Sequence, residues 1–216
     1  MFDVEYYEKE DGTFPAEEFL LSLEPKMQAK MFREIELLEE FGNQLREPHS
    51  KMLDDGFFEI RAKVSSDITR ILYFFVVNKK IILTNGFVKK TQKTPPSEIE
   101  LAKKVSQGLP EPKQGVKFMG KNFRETLNHQ LETNAEFRKE YEALAPEYAV
   151  ARMLVACRNS GNLTQKQLAE LTGINQADIS KIENGNANPS VKTLSRIADA
   201  MNMNLKIEFI PKTQNV

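Results

Sequence analysis

The stretch from Asn162 to Ser190, "NLTQKQLAELTGINQADISKIENGNANPS", has the pattern of two short helices joined by a tight turn. Thr164 and Gln167 stand at capping-box spacing, which predicts a helix that begins at residue 165. Gly173 supplies a turn, and Asn175 is placed to begin a second helix that ends at "ENG". The stretch therefore predicts a helix-turn-helix.

The two predicted helices divide into an apolar face and a polar face. Five apolar residues can point inward and hold the helices at a fixed angle: Leu168, Ala169, Ile174, Ile179 and Ile182. The outer face of the second helix then carries short polar side chains, which is what base edges in the major groove require. Polar groups at helix ends are placed for phosphate oxygens. Eight residues are predicted to contact DNA: Thr164, Gln165, Asn175, Gln176, Ala177, Ser180, Lys181 and Asn184.

The pattern "TQ..LA..TG....IS.IE.G...PS...L..IA" in this region resembles the Cro/repressor-like (XRE) helix-turn-helix family. The resemblance implies an all-α domain over about residues 149–202 that binds palindromic operator DNA as a homodimer. A helical hairpin used only for packing or oligomerisation is the alternative interpretation. Ahead of the motif, Pro146 is predicted to separate the helix that ends at Leu144 from the next helix. That next helix, Ala149–Asn159, is predicted to bury Val150, Met153, Leu154 and Cys157. Cys157 on this stripe is interpreted as a core residue, not a nucleophile.

The first half of the chain mixes strand and helix patterns in the order β-α-α-β-β-β-α, which predicts an α+β domain with an antiparallel meander. The predicted elements are a strand at Phe2–Glu8, helices at Pro15–Leu23 and Pro25–Phe41, strands at Phe57–Lys63, Ile68–Val77 and Lys80–Val88, and a helix that ends near Gln107.

The segment "GFFEIRAKVSSDITRILYFFVVNKKIILTNGFVKKTQKTPPSEIELAKK" resembles the HigB-type, phage-derived branch of RelE-like toxins. The resemblance covers residues 1 to about 107. It implies a small endoribonuclease that cuts mRNA, usually on the ribosome. Cleavage by the RNA 2′-hydroxyl needs proton-transfer groups and cations around the phosphorane.

Basic residues of the predicted sheet are candidates for this chemistry. An arginine within an apolar strand, as at Arg70, is costly unless it has a partner or a function. The predicted catalytic residues are Arg61, Arg70, Lys89, Lys90, Thr91 and Lys93, with either Lys89 or Lys90 at the scissile region. The predicted RNA-binding residues are His49, Lys51 and Lys63, and the first two are also candidates for proton transfer. Arg61 in a purely structural ion pair and His49 as a loop residue are the alternatives.

Charge is distributed unevenly along the chain. Residues 1–48 contain 5 basic and 13 acidic residues (net −8), residues 49–110 contain 11 and 6 (net +5), and the remainder contains 14 and 12 (net +2). The positive surface is therefore expected in the second part of the first domain. The single cysteine and the two distant histidines argue against a disulfide framework or a metal site, and no cofactor is predicted. No signal peptide and no membrane segment are predicted, so the expected compartment is the cytoplasm.

The stretch Gly108–Phe123, "GLPEPKQGVKFMGKNF", separates the two patterns. Toxins of the HigB type commonly stand upstream of XRE-type HigA antitoxins, and Met119 lies where such an antitoxin would begin. The predicted domains are a toxin at 1–109, a linker or fusion seam at 110–118, and an antitoxin at 119–216. The helical segment Phe123–Leu144 is expected to cover the basic surface, with its apolar residues docked on the helices of the toxin, in cis or in trans. The stretch "LKIEFI" is expected to form a last strand. A DNA-binding regulator with a non-catalytic N-terminal module is the alternative function.

Overall fold

The computed structural model describes residues 1–53, 56–76, 79–89, 94–108 and 120–209. The chain divides into two compact units, Met1–Ala149 and Val150–Val216. The first unit thus contains the predicted toxin region together with the segment 120–149 that follows the predicted seam.

The first unit is built on one mixed sheet. Its strands are β1 (Asp3–Tyr6), β2 (Ser50–Met52), β3 (Phe57–Val64), β4 (Asp67–Val76), β5 (Lys80–Val88) and β6 (Lys121–Asn122). Its helices are α1 (Pro15–Leu21), α2 (Pro25–Phe41), α3 (Pro96–Gly108), α4 (Phe123–Thr133) and α5 (Ala135–Ala143), with a 3-10 turn at Gly42–Gln44. This architecture confirms the predicted α+β class and the order of its main elements.

The strands lie in the order β2-β3-β4-β5-β1-β6. Strands β3 to β5 form the predicted antiparallel meander, and β2 extends it by pairing antiparallel with β3. Strand β1 pairs in parallel with β5, and β6 pairs antiparallel with β1. The sequence did not predict β2 and β6, because two or three residues are too few to show a period of two.

Helices cover both faces of the sheet. On one face a Cβ on Gly86 would lie 2.0 Å from the ring of Phe19, so α1 packs directly on the backbone of β5. Asn85, next to Gly86, points to the other face, where its Nδ2 donates to Glu98 of α3 at 2.7 Å. A small apolar cluster under α3 joins Phe57, Leu72, Phe87 and Ala102. We call these the α1/α2 face and the α3 face.

Helices α4 and α5 form a further layer on α2. Phe137 of α5 is fully buried, and its ring meets that of Phe32 edge-on at 5.2 Å between centroids. The Arg33 guanidinium lies over the ring of Tyr141, 3.6 Å from its centroid. Asn122 and Asn134 cap α4 and α5 with their side-chain oxygens. Residues 120–149 are therefore packed into the first unit through a core of their own.

The second unit is helical in its described part. It comprises the C-terminal part of α6 (Ala145–Ser160), and α7 (Gln165–Thr172), α8 (Gln176–Glu183) and α9 (Val191–Ala200). Leu154, Ile182 and Ile197 form its buried cluster, with Val150, Ile174, Ala187 and Met201 packed against them.

A break between helices lies at Pro146, as predicted, because α5 ends at Ala143 and α6 begins at Ala145. Pro146 lies in the first turn of α6, where its missing N–H is not needed. The buried stripe of α6 differs from the prediction. The buried stripe runs through Tyr148, Ala151, Leu154 and Val155, whereas Met153 is exposed and Cys157 is half-buried. The helix begins four residues earlier than predicted, and the buried face shares only Leu154 with the predicted one.

The predicted strand at "LKIEFI" is wrong for the residues that the structure describes. Residues 203–209 have no regular secondary structure. A strand is held by a ladder of hydrogen bonds to a neighbour, and the described part of the second unit offers helices alone.

Across the described ranges, no helix is both long and apolar enough to cross a membrane.

Candidate functional site

An open pocket of about 740 Å³ lies on the α3 face of the first unit. Its lining residues come from β2, β3, β4, the end of β5, and α3 with the residues before it: Lys51, Leu53, Glu59, Arg61, Arg70, Lys89, Thr94, Pro96, Ile99, Glu100 and Lys103. Five of these side chains are cationic and two are carboxylates, so the pocket favours an anionic ligand. Four predicted residues, Lys51, Arg61, Arg70 and Lys89, are brought together here.

Arg70 lies at the bottom of this pocket with its side chain 5% exposed. Its Nη1 donates to Glu59 Oε2 at 2.6 Å and to the hydroxyl of Thr94. The Thr94 hydroxyl in turn donates to the same Glu59 oxygen. Burial lowers the pKa of the Arg70 guanidinium, while the adjacent Glu59 carboxylate acts in the opposite direction. The partner expected for an arginine in an apolar strand is therefore Glu59.

Arg61 stands directly opposite Arg70 in the β3–β4 ladder. Two like charges in register destabilise a sheet unless a counter-charge lies between them. Glu59 provides that counter-charge, because Arg61 donates from Nε at 2.8 Å and from Nη2 at 2.7 Å to its Oε1. One buried carboxylate thus orients two guanidinium groups, one through each oxygen.

Lys89 follows β5 at the edge of the pocket. Partial burial, followed by the positive charges of Arg70 and Arg61, lowers the pKa of its ε-amine. A lysine with a lowered pKa holds its proton less firmly and is better suited to proton transfer near neutral pH.

Other predicted residues lie elsewhere. His49 is buried beneath the α1/α2 face, where its Nδ1 is 2.7 Å from Glu34 Oε2. The Tyr148 hydroxyl donates to the other oxygen of Glu34 at 2.6 Å, so His49 belongs to a buried polar cluster and lies away from the pocket. Lys63 is exposed on β3 and does not line the pocket. Lys90, Thr91 and Lys93 lie outside the described residues.

The sequence reading missed Glu59 and Thr94 as parts of this arrangement. Glu59 precedes Arg61 by two residues, so the two side chains share a face of β3, and this spacing is the signal for the Glu59–Arg61 pair. The contact between Glu59 and Thr94 spans 35 residues and depends on how the chain returns from β5 to α3.

The helix-turn-helix of the second unit has the predicted local geometry. Thr164 and Gln167 form a complete capping box at the start of α7. Gly173 ends α7 in the left-handed region at φ 62°, and Asn175 caps α8 by accepting from Ala177 N at 2.8 Å. The predicted DNA-contacting side chains of α8 lie on its outer face. Gln176, Ala177 and Lys181 are exposed, and Ser180 and Asn184 are half-buried. The predicted reading face is thus available to DNA.

Gln165 has an additional structural contact. Its Nε2 donates to Glu183 Oε2 at 2.7 Å, and Glu183 is fully buried. Arg158 Nε donates to the other Glu183 oxygen at 2.8 Å. This network ties α6, α7 and α8 together, so the Gln165 side chain has a structural role.

The segment 120–149 packs where its charges were not expected to bind. The prediction paired its glutamates with the basic surface, whereas the structure pairs its cations with the acidic helices α1 and α2. Lys121 Nζ lies 2.6 Å from Glu17 Oε1, and Arg124 binds Glu36 at 2.9 Å and also binds Glu39. No residue of 120–149 lines the pocket on the α3 face. The net charge of Phe123–Leu144 misled the prediction, because docking depends on which side chains face the contact.

These two sites define a class of protein in which an α+β domain with a cation-rich pocket is joined to a DNA-binding helix-turn-helix domain. Residues 18–107 match the family described as Phage derived protein Gp49-like (DUF891), and residues 154–207 match that described as Helix-turn-helix. The chain therefore carries a Gp49-like domain of the phage-derived, RelE/HigB-like toxin family, followed by an XRE-type helix-turn-helix domain.

A further similarity is to the ImmF control region 10 kDa protein of Bacillus phage phi105. The two chains are 42% identical over 59 residues, which are 27% of this chain and 66% of the relative. The matched segment thus spans just under two thirds of that relative's length.

Proposed function

We propose that this chain is a type II toxin–antitoxin unit in one polypeptide. Its N-terminal domain cleaves mRNA, and its C-terminal part neutralises that activity and represses its own operon. The observation that carries the first half of the proposal is the pair of arginines held by Glu59 in an open pocket with an excess of cations. Both activities act on cytoplasmic nucleic acids, so we place the protein in the cytoplasm.

The pocket suits cleavage of RNA by its own 2′-hydroxyl. The 2′-oxygen attacks the adjacent phosphorus and loses its proton to a base, while the bond from phosphorus to the 5′-oxygen breaks and that oxygen gains a proton. The products are a 2′,3′-cyclic phosphate and a 5′-hydroxyl. Arg61 and Arg70 would stabilise the additional negative charge of the phosphorane.

The remaining side chains divide into positioning and proton-transfer roles. Both oxygens of Glu59 accept hydrogen bonds from the arginines, so Glu59 is a positioning residue and not the base. Lys89, with its lowered pKa, is the candidate for proton transfer, and Lys51 is its neighbour at the pocket edge. Lys90, Thr91 and Lys93 stay predictions for the same region.

The ribonuclease proposal is tested with the full chain on a short single-stranded RNA. Arg70→Ala should reduce cleavage by about 10²–10³-fold, the usual effect of losing one such stabilising contact. Lys63→Ala is the control, because it also removes one positive charge from the domain, but at an exposed position outside the pocket. It should leave the cleavage rate within about twofold of the wild-type rate. Equal rates for wild type and Arg70→Ala would reject the proposed active site.

Neutralisation is proposed to act from the α1/α2 face. Because residues 120–149 dock there, the pocket stays accessible to a small substrate, and inhibition would come from the added bulk that keeps the domain from ribosome-bound mRNA. The full chain should then cut the short RNA but spare mRNA during cell-free translation. Cleavage of the translated mRNA at the same efficiency would show that the second half is no antitoxin.

The DNA-binding part is proposed to repress an operator with two half-sites about one helical turn apart, bound by a dimer. Gln176→Ala should reduce discrimination at one base pair by about 1–3 kcal/mol, because that side chain is exposed on the reading face. Gel-shift titrations on operator and scrambled duplexes measure the difference. Equal affinity of the wild type for both duplexes would contradict sequence-specific repression.

The second candidate function is a DNA-binding regulator with a non-catalytic N-terminal module. The observation in its favour is the close packing of residues 120–149 into the first unit, as expected for a fixed module. It is distinguished by the Arg70→Ala experiment, since a non-catalytic module has no RNA cleavage to lose.

A further inference from the structure

The two arginines of the pocket use different edges of their guanidinium groups. Arg61 donates from Nε at 2.8 Å and from Nη2 at 2.7 Å, and both bonds end on Glu59 Oε1. Arg70 donates from Nη1 to the other oxygen of Glu59 at 2.6 Å, and Nη1 also donates to the Thr94 hydroxyl. We call the edge formed by Nε and Nη2 the side edge. It is bonded to Glu59 in Arg61 but not in Arg70.

The side edge of Arg70 lacks an acceptor among the residues that the structure describes. Its Nε is buried without a hydrogen-bond partner, and the bonds to Glu59 and Thr94 both leave from Nη1. The side chain is only 5% exposed, and it lines the pocket. A buried donor without an acceptor is unfavourable, and a ligand oxygen in the pocket would supply the missing acceptor.

The side edge of a guanidinium suits one kind of ligand group. It presents two parallel N–H groups, which match two oxygens of a phosphoryl group or a carboxylate. Glu59 is already paired with both arginines, so the pocket keeps a surplus of positive charge for an anion. Arg61 can add a contact from Nη1, which lies 3.7 Å from the exposed carboxylate of Glu47. The two arginines are thus equipped for different contacts with one anion.

Thr94 fixes which edge of Arg70 faces Glu59. The Thr94 hydroxyl accepts from Arg70 Nη1 and donates to Glu59 Oε2, the same oxygen that Nη1 contacts. These three polar groups form a closed triangle, so turning the side edge of Arg70 onto Glu59 would break the bond to Thr94. The backbone at Thr94 is itself restricted, because Pro95 and Pro96 follow it at the start of α3.

We propose that Thr94 is a positioning residue, which holds Nη1 of Arg70 on Glu59 and thereby leaves the side edge of Arg70 to bind two oxygens of a phosphoryl group. The inference rests on the proposed function, in which this phosphoryl group is the one at the cleavage site of the RNA. It goes further because it separates the arginines: Arg70 binds the phosphoryl group through its side edge, and Arg61 adds a contact from Nη1. Inorganic phosphate probes this site without any RNA cleavage.

Exchanging each arginine for lysine in the full chain tests this division. Arg70→Lys keeps the positive charge but has no side edge, so the affinity for inorganic phosphate should fall by about tenfold or more. Arg61→Lys is the matched control at the facing position of the ladder, and it should change that affinity by less than about threefold. Thermal unfolding across a phosphate series measures both affinities, with Arg70→Ala as the baseline for phosphate bound elsewhere. Equal losses from the two lysine variants, or a wild type that binds no better than Arg70→Ala, would overturn the inference.

Two conservative variants test Thr94 without replacing a buried arginine. Thr94→Val removes the hydroxyl and should weaken phosphate binding by about three- to tenfold, whereas Thr94→Ser should stay within about twofold of the wild type. In the Arg70→Lys background, Thr94→Val should have no further effect, because Thr94 acts on the phosphate through Arg70. Equal affinities of Thr94→Val and Thr94→Ser, or the same loss from Thr94→Val in both backgrounds, would overturn the positioning role.

Cleavage of a short RNA by the wild-type chain separates this inference from the proposed function. If phosphate binding follows the expected pattern but no RNA is cut, the ribonuclease activity is refuted and the phosphoryl site stands. If RNA is cut but phosphate binding depends on neither Arg70 nor Thr94, the inference is refuted and the ribonuclease activity stands.

Discussion

The two faces of the N-terminal sheet carry opposite charges, and these charges are paired to different extents. On the α1/α2 face, glutamates of the acidic helices receive cations from within the first unit, from Lys121 and Arg124 above all. On the α3 face, cations outnumber carboxylates and two arginines share one glutamate. The glutamates of the α1/α2 face are paired with cations of the chain, whereas the pocket on the α3 face has an excess of positive charge that an anionic ligand could pair with.

This difference shows why charge alone did not reveal the docking site. Both faces contain many ionisable groups, but the residues that pair with these groups come from different parts of the chain. The acidic face is completed by residues that follow it by about 85 to 104 positions, while the carboxylate of the basic face comes from its own sheet.

Phe137→Ala should lower the free energy of unfolding of the first unit by about 3–5 kcal/mol, because its ring is fully buried against Phe32. Urea unfolding measures the change. Leu101→Ala on α3, where the side chain is 40% exposed, should cost less than about 1 kcal/mol. Comparable losses for the two would mean that residues 120–149 are not an integral layer of the unit.

Glu59→Gln should destabilise the protein by about 2–4 kcal/mol, since two guanidinium groups lose the charge between them. Inorganic phosphate should restore part of this stability by binding the arginines, and its stabilising effect should exceed that on the wild type. Thermal unfolding with and without phosphate measures both effects. Glu100→Gln, an exposed carboxylate at the pocket edge, is the control, and an equal response from it would contradict the central role of Glu59.

Arg124→Ala should cost about 1–2 kcal/mol, less than a fully buried pair, because the side chain is 38% exposed and solvent screens it. Lys139→Ala removes an exposed charge from the neighbouring helix and should change stability by less than about 0.5 kcal/mol. Chemical unfolding in low and high salt should show a smaller difference between the Arg124 variant and wild type at high salt. A salt-independent difference would point to lost packing and not to lost charge.

Lys89 should show the smallest effect, in its reactivity. Its lowered pKa leaves more neutral amine at a given alkaline pH, so acylation should proceed faster than at Lys63 in the same sample. Arg61→Ala removes a nearby positive charge, raises the pKa of Lys89 and should slow the reaction. Because the folded-state pKa lies below the ordinary value, rising pH through that interval also favours the folded state. An unchanged acylation rate of Lys89 in the Arg61→Ala variant would contradict the claim that Arg61 lowers the pKa of Lys89.

Much of the architecture followed from local patterns. The capping box at Thr164, the turn at Gly173 and the inward-facing Leu168, Ile179 and Ile182 lie within one short stretch, and the structure confirms each of them. The meander of β3 to β5 was equally readable, since its turns are short and its strands are eight to ten residues long.

Contacts between distant residues could not be read in this way. His49 was a candidate for RNA chemistry because it precedes a strand near a basic region, yet Glu34 and Tyr148 hold it in a buried cluster. Glu59 was not predicted as a site residue, yet the return of the chain makes it the common partner of Arg61, Arg70 and Thr94.

Local sequence patterns were enough to indicate the two families, the order of elements and the polar outer face of α8, because these depend on motifs, periodicity and caps within one or two turns. The sequence also placed Lys51, Arg61, Arg70 and Lys89 among its candidates, because they lie within or beside the predicted strands, although His49 and Lys63 from the same set lie outside the pocket. The packing of the folded chain makes Glu59 the residue that orients both arginines, and it places residues 120–149 on the acidic helices. Those outcomes depend on which side chains meet across long separations, and neither local pattern nor net charge contains that information.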